Sequence, residues 1–259
     1  MMRTIFILFL IAIILGACRK DPGFQRVDLP LTLTIEEKLI ASGNQLMLHF
    51  STTKQYACSN YSLNTTSAVS NSGITIQFID ITIPEICLTS IGPASTTINA
   101  GQIRNGVYSI QMLIEQQTIN GRIEITDQEI KTFIDPNAAV VITNPVIQRI
   151  PNNAVWGIVG YPDQAWSAAV QQFYDTLEAV GASSQVWASG NYFHFSVDNL
   201  GTITTPANTG YHYAQSYLYL FSGNAELLDT AVARFGRRYQ DTLYVSLYDG
   251  KGRQLFSWR

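Results

Sequence analysis

Charge is scarce in this sequence: 14% of its 259 residues are Asp, Glu, Lys or Arg, and the net charge is −3. A protein that neutralises a phosphate backbone needs clustered lysines and arginines, so a nucleic-acid partner is excluded. At 46% hydrophobic residues the chain is also too apolar to be disordered. Histidine is rarer still. A metal centre wants three or four ligands, and neither His194 nor His212 has an acidic partner at helical or strand spacing, so no metal and no cofactor is expected. His49, alone on the polar side of its strand, reads as a surface residue. There is no Gly-x-Ser-x-Gly elbow; Ser189-Gly190 and Ser222-Gly223 read as turns. Gly157-x-x-Gly160 lacks the third glycine and the Lys-Ser/Thr of a phosphate loop. No pair of acids suits general acid–base work. No catalytic residue is assigned, and a non-enzymatic role is expected.

Long apolar runs are also missing, with one short exception. After Arg3, residues Ile5 to Leu15 are unbroken in their apolarity. A membrane-spanning helix needs ~20 such residues, so this run has the length of a signal-peptide core instead. Small residues follow in Leu15-Gly16-Ala17-Cys18. This stretch resembles the lipobox of bacterial lipoproteins. The resemblance implies cleavage before Cys18, a diacylglyceryl thioether and palmitate on that residue, and a membrane partner through the lipid anchor. Arg19-Lys20-Asp21 is similar to the export tags of Bacteroidota surface lipoproteins, although Pro22 stands where a second acid belongs. The expected location is the bacterial cell envelope, at the outer membrane, on its periplasmic side or exposed at the surface. Residues 1–17 are then the signal peptide and 18–27 the anchor linker.

With Cys18 lipidated in an oxidising compartment, Cys58 and Cys87 are left, and without a Cys-x-x-Cys spacing they read as one disulfide. Closing a loop of that length stabilises by roughly 3–4 kcal/mol on the chain-entropy model. Around them the pattern has period 2. Leu29, Leu31, Leu33 and Ile35 share a face, then Leu46, Leu48 and Phe50, then Ile74, Ile76 and Phe78, then Tyr108, Ile110, Met112 and Ile114. Asn120-Gly121 reads as a hairpin turn before a strand at 122–126. Strands at this spacing without a helical period predict an antiparallel β-sandwich over 28–135. Asn105-Gly106-Val107-Tyr108-Ser109-Ile110 resembles the penultimate strand of immunoglobulin-like sandwiches, although no Trp stands between Cys58 and Cys87. Residues 136–152, with Pro136, Pro145 and Pro151, read as a linker holding at most a short strand.

From 153 to 259 the period changes. Apolar residues at 3 and 4 spacing predict a helix over 163–180, stopped by Gly181, and a second helix capped by Asn224 and stopped by Gly236. Strands are expected at 155–159, 191–197, 217–222, 242–248 and 253–258. The order β-α-β-β-α-β-β predicts a ferredoxin-like split βαβ domain, an α+β unit with one added strand. Aromatic residues gather here, and Tyr192, His194, Tyr211, His212 and Tyr213 form the candidate binding patch, since aromatic faces bind sugar rings and anchor protein interfaces. Asp175-Thr176-Leu177, Asp229-Thr230-Ala231 and Asp241-Thr242-Leu243 resemble the O-glycosylation sequon of Bacteroidota, which implies Thr176, Thr230 and Thr242 as acceptors. The leading expectation is a lipid-anchored binding or scaffold protein for a protein or glycan, partnered with an envelope complex. The alternatives are an envelope hydrolase using His194 or His212, and a structural subunit of a fimbria or envelope complex.

Overall fold

The computed structural model describes residues 24–102, 104–206 and 209–258. Cys18 and the signal-peptide residues lie outside them. The described chain is mainly β, 50% strand and 14% helix, in large curled sheets.

The first sheet holds β1 (Phe24–Gln25), β2 (Leu31–Lys38), β3 (Gln45–Tyr56), β4 (Ser62–Val69), β5 (Gly73–Thr82), β6 (Gly92–Gln102), β7 (Gly106–Ile114), β8 (Gln117–Ile125), β9 (Glu129–Ile134), β10 (Val140–Ile142) and β11 (Val146–Gln148). Their order is β10-β2-β3-β6-β4-β5-β7-β8-β9-β11, with β1 on β5. The expected alternation holds at Leu31, Leu33 and Ile35, which are buried, as are Leu46, Leu48 and Phe50, but Leu29 lies ahead of β2 and is exposed. Those faces meet Ile74, Ile76, Phe78, Ile110 and Met112 in one core, where Phe50 and Phe78 lie edge to face at 5.0 Å. Three neighbouring pairs are parallel rather than antiparallel: β10 with β2, β4 with β6, and β5 with β7.

Two expectations change here. Asn120 and Gly121 sit inside β8; the hairpin turn is Glu115-Gln116, with Glu115 at φ 53. Glycine is needed at 121 for room, because a Cβ there would lie 2.3 Å from the Phe133 carbonyl oxygen. The proline-marked segment is not a bare linker either. β10 covers the open edge of β2 and β11 covers β9, so the same few residues close both edges of the sheet. Arg149 then locks this segment down. Its Nε and Nη2 donate to Glu37 Oε1 at 3.0 and 2.8 Å, and its Nη1 donates to the Thr126 carbonyl at 2.6 Å.

The second sheet consists of β12 (Ala154–Tyr161), β13 (Ala182–Ser183), β17 (Tyr213–Phe221), β18 (Tyr244–Asp249) and β19 (Gln254–Trp258), in the order β13-β17-β12-β18-β19, antiparallel throughout. Helices α1 (Ser167–Ala179) and α2 (Ala225–Tyr239) pack on one face through Val170, Phe173, Leu177, Leu228, Val232 and Phe235. Asn224 caps α2 as expected, but Gly236 does not end it. Gly236 is buried in the helix, which runs on until Tyr239 donates to Gln172 on α1 at 2.7 Å. The β-α-β-β-α-β-β order survives with a different second strand: β13 takes that place. Residues 191–197 belong to a separate small sheet of β14 (Gly190–Asn191), β15 (Ser196–Val197) and β16 (Ile203–Thr204), inserted between β13 and β17.

Candidate functional site

Alternation along β12 sends Val155, Val159 and Tyr161 toward the helices and Ala154 and Trp156 to the opposite face. Gly157 makes the crossing of β12 by Tyr217 possible. The Tyr217 hydroxyl donates to the Ser246 carbonyl at 2.5 Å, through space that a Cβ on Gly157 would fill at 2.6 Å from that hydroxyl. The helix-free face is largely covered. It packs on the small inserted sheet and on Leu39 and Ile150 from the first half, with Trp156, Tyr192, Phe195 and Leu218 at the centre. At the hairpin between β18 and β19, Gly252 (φ 73) approaches so closely that a Cβ there would lie 2.4 Å from the Leu39 carbonyl oxygen.

Between these layers lies a cavity of about 560 Å³. Glu36, Lys38 and Leu39 at the end of β2 form one wall. Trp156 and Ile158 of β12, with Tyr244, Ser246 and Tyr248 of β18, form the second, and Phe193 and His194 close it. The closing residues sit on a tight turn, not on the strand expected at 191–197. Asn191 Oδ1 accepts the Phe193 N–H at 2.8 Å, and the Tyr192 N–H donates to the Phe195 carbonyl at 2.8 Å. Phe193 is thereby held at φ 67, a left-handed conformation that costs a non-glycine residue on the order of 1 kcal/mol or more. The surroundings hold it there: its ring stacks on His49 at 6.2 Å and meets the edge of His194 at 5.5 Å. His49 is no isolated surface residue. Its Nε2 pairs with Glu36 Oε2 at 2.5 Å and its Nδ1 with Thr97 Oγ1 at 2.9 Å, which fixes the Glu36 side of the cavity.

The Trp156 ring stacks with Tyr248 at 4.7 Å and with His194 at 5.2 Å. Three buried side-chain polar atoms among the described residues have no hydrogen-bond partner, and two of them, Trp156 Nε1 and His194 Nε2, belong to this cavity's walls. Burial lowers the pKa of His194, against the opposing pull of the Glu36 charge, the Glu37 carbonyl and the Glu37 charge. The imidazole is therefore neutral at neutral pH. His194 Nε2 has no hydrogen-bond partner among the described residues.

The five patch residues are divided between two places. Tyr192 and His194 are on the cavity side, where Tyr192 is buried, stacks on Phe195 at 4.9 Å and donates its hydroxyl to the Ala188 carbonyl at 3.0 Å. Tyr213 stacks on Tyr161 at 5.4 Å on the helix side, with exposed His212 against its edge and Tyr211 half-buried beside them. No hydrogen bond or ring contact joins the two groups among the described residues. Thr176 is on α1, where its hydroxyl donates to the Gln172 carbonyl at 2.6 Å; Thr230 is exposed on α2, and Thr242 is half-buried beyond it. Cys58 and Cys87 form a disulfide, as expected, with Cα atoms 5.2 Å apart.

Sequence reasoning passed over Trp156, Glu36 and Phe193. A glycine inside a strand, as at Gly157, is a signal of close approach, and Asn191 two residues before Phe193 is a signal of a turn. Among the described residues no group of three His, Cys, Asp or Glu is placed to hold a metal, and no helix is long and apolar enough to cross a membrane. Comparison with protein-family models, curated proteins and solved structures finds no match to this chain.

Proposed function

We propose that this chain is a lipid-anchored protein of the bacterial cell envelope that binds a carbohydrate in the aromatic cavity, without turning it over. In this reading the first half is an immunoglobulin-like sandwich and the second a ferredoxin-like domain. The strand order β13-β17-β12-β18, with both helices on one face, supports the second assignment. The hydrogen bond from the Tyr108 hydroxyl to the Arg104 carbonyl, at 2.9 Å just before β7, supports the first.

The observation that carries the ligand class is the unpaired couple on the cavity wall. Trp156 Nε1–H only donates. Neutral His194 presents an unpartnered Nε2, which donates or accepts according to the tautomer. A hydroxyl group accepts from the first and either donates to or accepts from the second, and each buried polar atom left unpaired costs ~1–3 kcal/mol. Aromatic walls around a few polar groups are what a sugar ring requires. The anchor rests on the Leu15-to-Cys18 motif. The register also separates the two ends of β3: the cavity lies by Gln45, opposite Lys38, and the disulfide lies beyond Tyr56. An extended strand of that length holds the cavity roughly 35 Å from the disulfide.

Titration of the acylated protein with neutral hexoses, N-acetylhexosamines and their oligomers, followed by tryptophan fluorescence, tests the ligand class. A saturable change that disappears in Trp156→Phe is expected. Absence of any saturable response from folded protein would overturn it. Metabolic palmitate labelling tests the anchor separately, and label that persists in Cys18→Ser refutes it.

A further inference from the structure

Four exposed aliphatic side chains of the first half are concentrated in one short loop. Between β5 and β6, Ile83, Ile86, Leu88 and Ile91 are exposed, Ile86 and Ile91 to 79% and 76%. Glu85 is the only charged residue from 83 to 91. Such a cluster of exposed aliphatic residues is unfavourable in water, and a loose loop would fold it back onto the protein. This loop is held out. Cys87 is bonded to Cys58. Asn60 clamps the backbone on both sides of Cys87, donating Nδ2 to the Ile86 carbonyl at 2.7 Å and accepting the Leu88 N–H at 3.1 Å. Ser90 donates to Ser59 at 2.7 Å. The backbone on either side of Cys87 and the Ser90 hydroxyl are satisfied inward while the aliphatic groups are exposed.

What covers them follows from the start of the sheet. β1 pairs antiparallel with β5, Phe24 opposite Thr82 and Gln25 opposite Ile81. Tracing the chain backward from Gln25 to Phe24 therefore runs toward Ile83. The segment carrying Cys18 joins the fold at the end where this loop begins. Cys18 is six residues before Phe24, a reach of at most about 20 Å.

We propose that residues 83–91 form a membrane-contacting tip: a disulfide-braced loop that inserts Ile86, Leu88 and Ile91 into the interfacial region of the bilayer holding the lipid on Cys18. A lipid on a short tether tethers the protein without orienting it. A second apolar contact beside the tether sets an orientation, with β3 rising from the bilayer and the cavity at its far end. This inference rests on the anchor reading for its choice of partner, but the loop's contact is measurable by itself.

The test places a reporter in the loop. Leu88→Trp in the full chain is compared with Val186→Trp, whose side chain is 98% exposed in the second half. Each is bound to or reconstituted in phosphatidylethanolamine–phosphatidylglycerol vesicles, with and without brominated acyl chains. Expected are a blue-shifted, bromine-quenched emission at 88 and none at 186, with the signal at 88 falling on the order of tenfold when Ile86 and Ile91 are replaced by Ser. Palmitate label present with no quenching at 88 overturns the tip and leaves the anchor standing. Quenching at 88 without label supports the tip and removes the anchor. A shift at 88 that follows protein concentration and ignores vesicles makes the loop a contact between copies and also overturns the proposal. Circular dichroism of the Leu88→Trp variant confirms folding, and Ile86→Trp is the second reporter position.

Discussion

Replacing Arg149 with Met is the most direct test of how the cavity's first wall is held. The Glu37 side chain is only 4% exposed, and its Oε1 receives three bonds: two from Arg149 and one from Asn44 Nδ2 at 2.7 Å. Removing the arginine strips two of these and leaves a buried carboxylate without a countercharge, which costs about 3–5 kcal/mol. The Thr126 carbonyl loses a donor as well. At ~2–4 °C per kcal/mol for a chain of this size, the midpoint of thermal unfolding falls by about 6–20 °C. The loss should be nearly the same at low and high salt, because a buried pair is poorly screened. Glu37→Leu with Arg149→Met removes the stranded charge, so the double variant should recover most of the stability, with a coupling of ~2 kcal/mol or more. Denaturant unfolding of the four proteins reads this cycle. A cost below ~1 kcal/mol for Arg149→Met, or a double variant no better than the sum of the singles, would refute a charge-driven clamp.

Gly157→Ala would place a Cβ 1.9 Å from the Ser246 carbonyl oxygen, and overpacking of that kind costs about 3 kcal/mol. Near-ultraviolet circular dichroism on heating should show the loss, and adding Tyr217→Phe should not restore it, because the clash with the carbonyl remains. His194 is neutral in the fold with its pKa below the ordinary 6.5, so the unfolded chain takes up the proton first. The sign follows: this contribution to stability is complete above about pH 6.5 and is lost as pH falls below it, toward the folded pKa. Denaturant midpoints between about pH 7 and pH 5 should fall less steeply in His194→Gln; an unchanged slope would show that the ring is not desolvated.

Much of the architecture is legible in one dimension, because the signals behind it are local. Period-2 burial at Leu31, Leu33 and Ile35 needs only the pleat of a strand. The helix at 167–179 needs only Val170, Phe173 and Leu177 on one stripe, and the cap of α2 needs only Asn224. Cys58 and Cys87 were paired by counting thiols. What failed was local chemistry read without its neighbours. Asn120-Gly121 imitates a turn, yet glycine is there because β9 passes too close for a side chain.

The candidate site was hidden for a related reason. Glu36 and His194 are more than 150 positions apart, and nothing along the chain says that β2's end and β18 form the two sides of one cavity. Alternation alone put Phe193 and Tyr192 on opposite faces of a strand, whereas the Asn191 turn and the rings of His49 and His194 impose a left-handed Phe193 instead. Sequence by itself determined the strands with clean alternation, β2, β3, β5 and β7, the two helices and their apolar faces, since hydrogen bonding and burial within an element repeat with fixed short periods. Tertiary structure alone decided which apolar faces meet and which stay bare, and which buried nitrogens end with no partner. Those outcomes depend on contacts between residues remote in the chain, and such contacts leave no periodic trace.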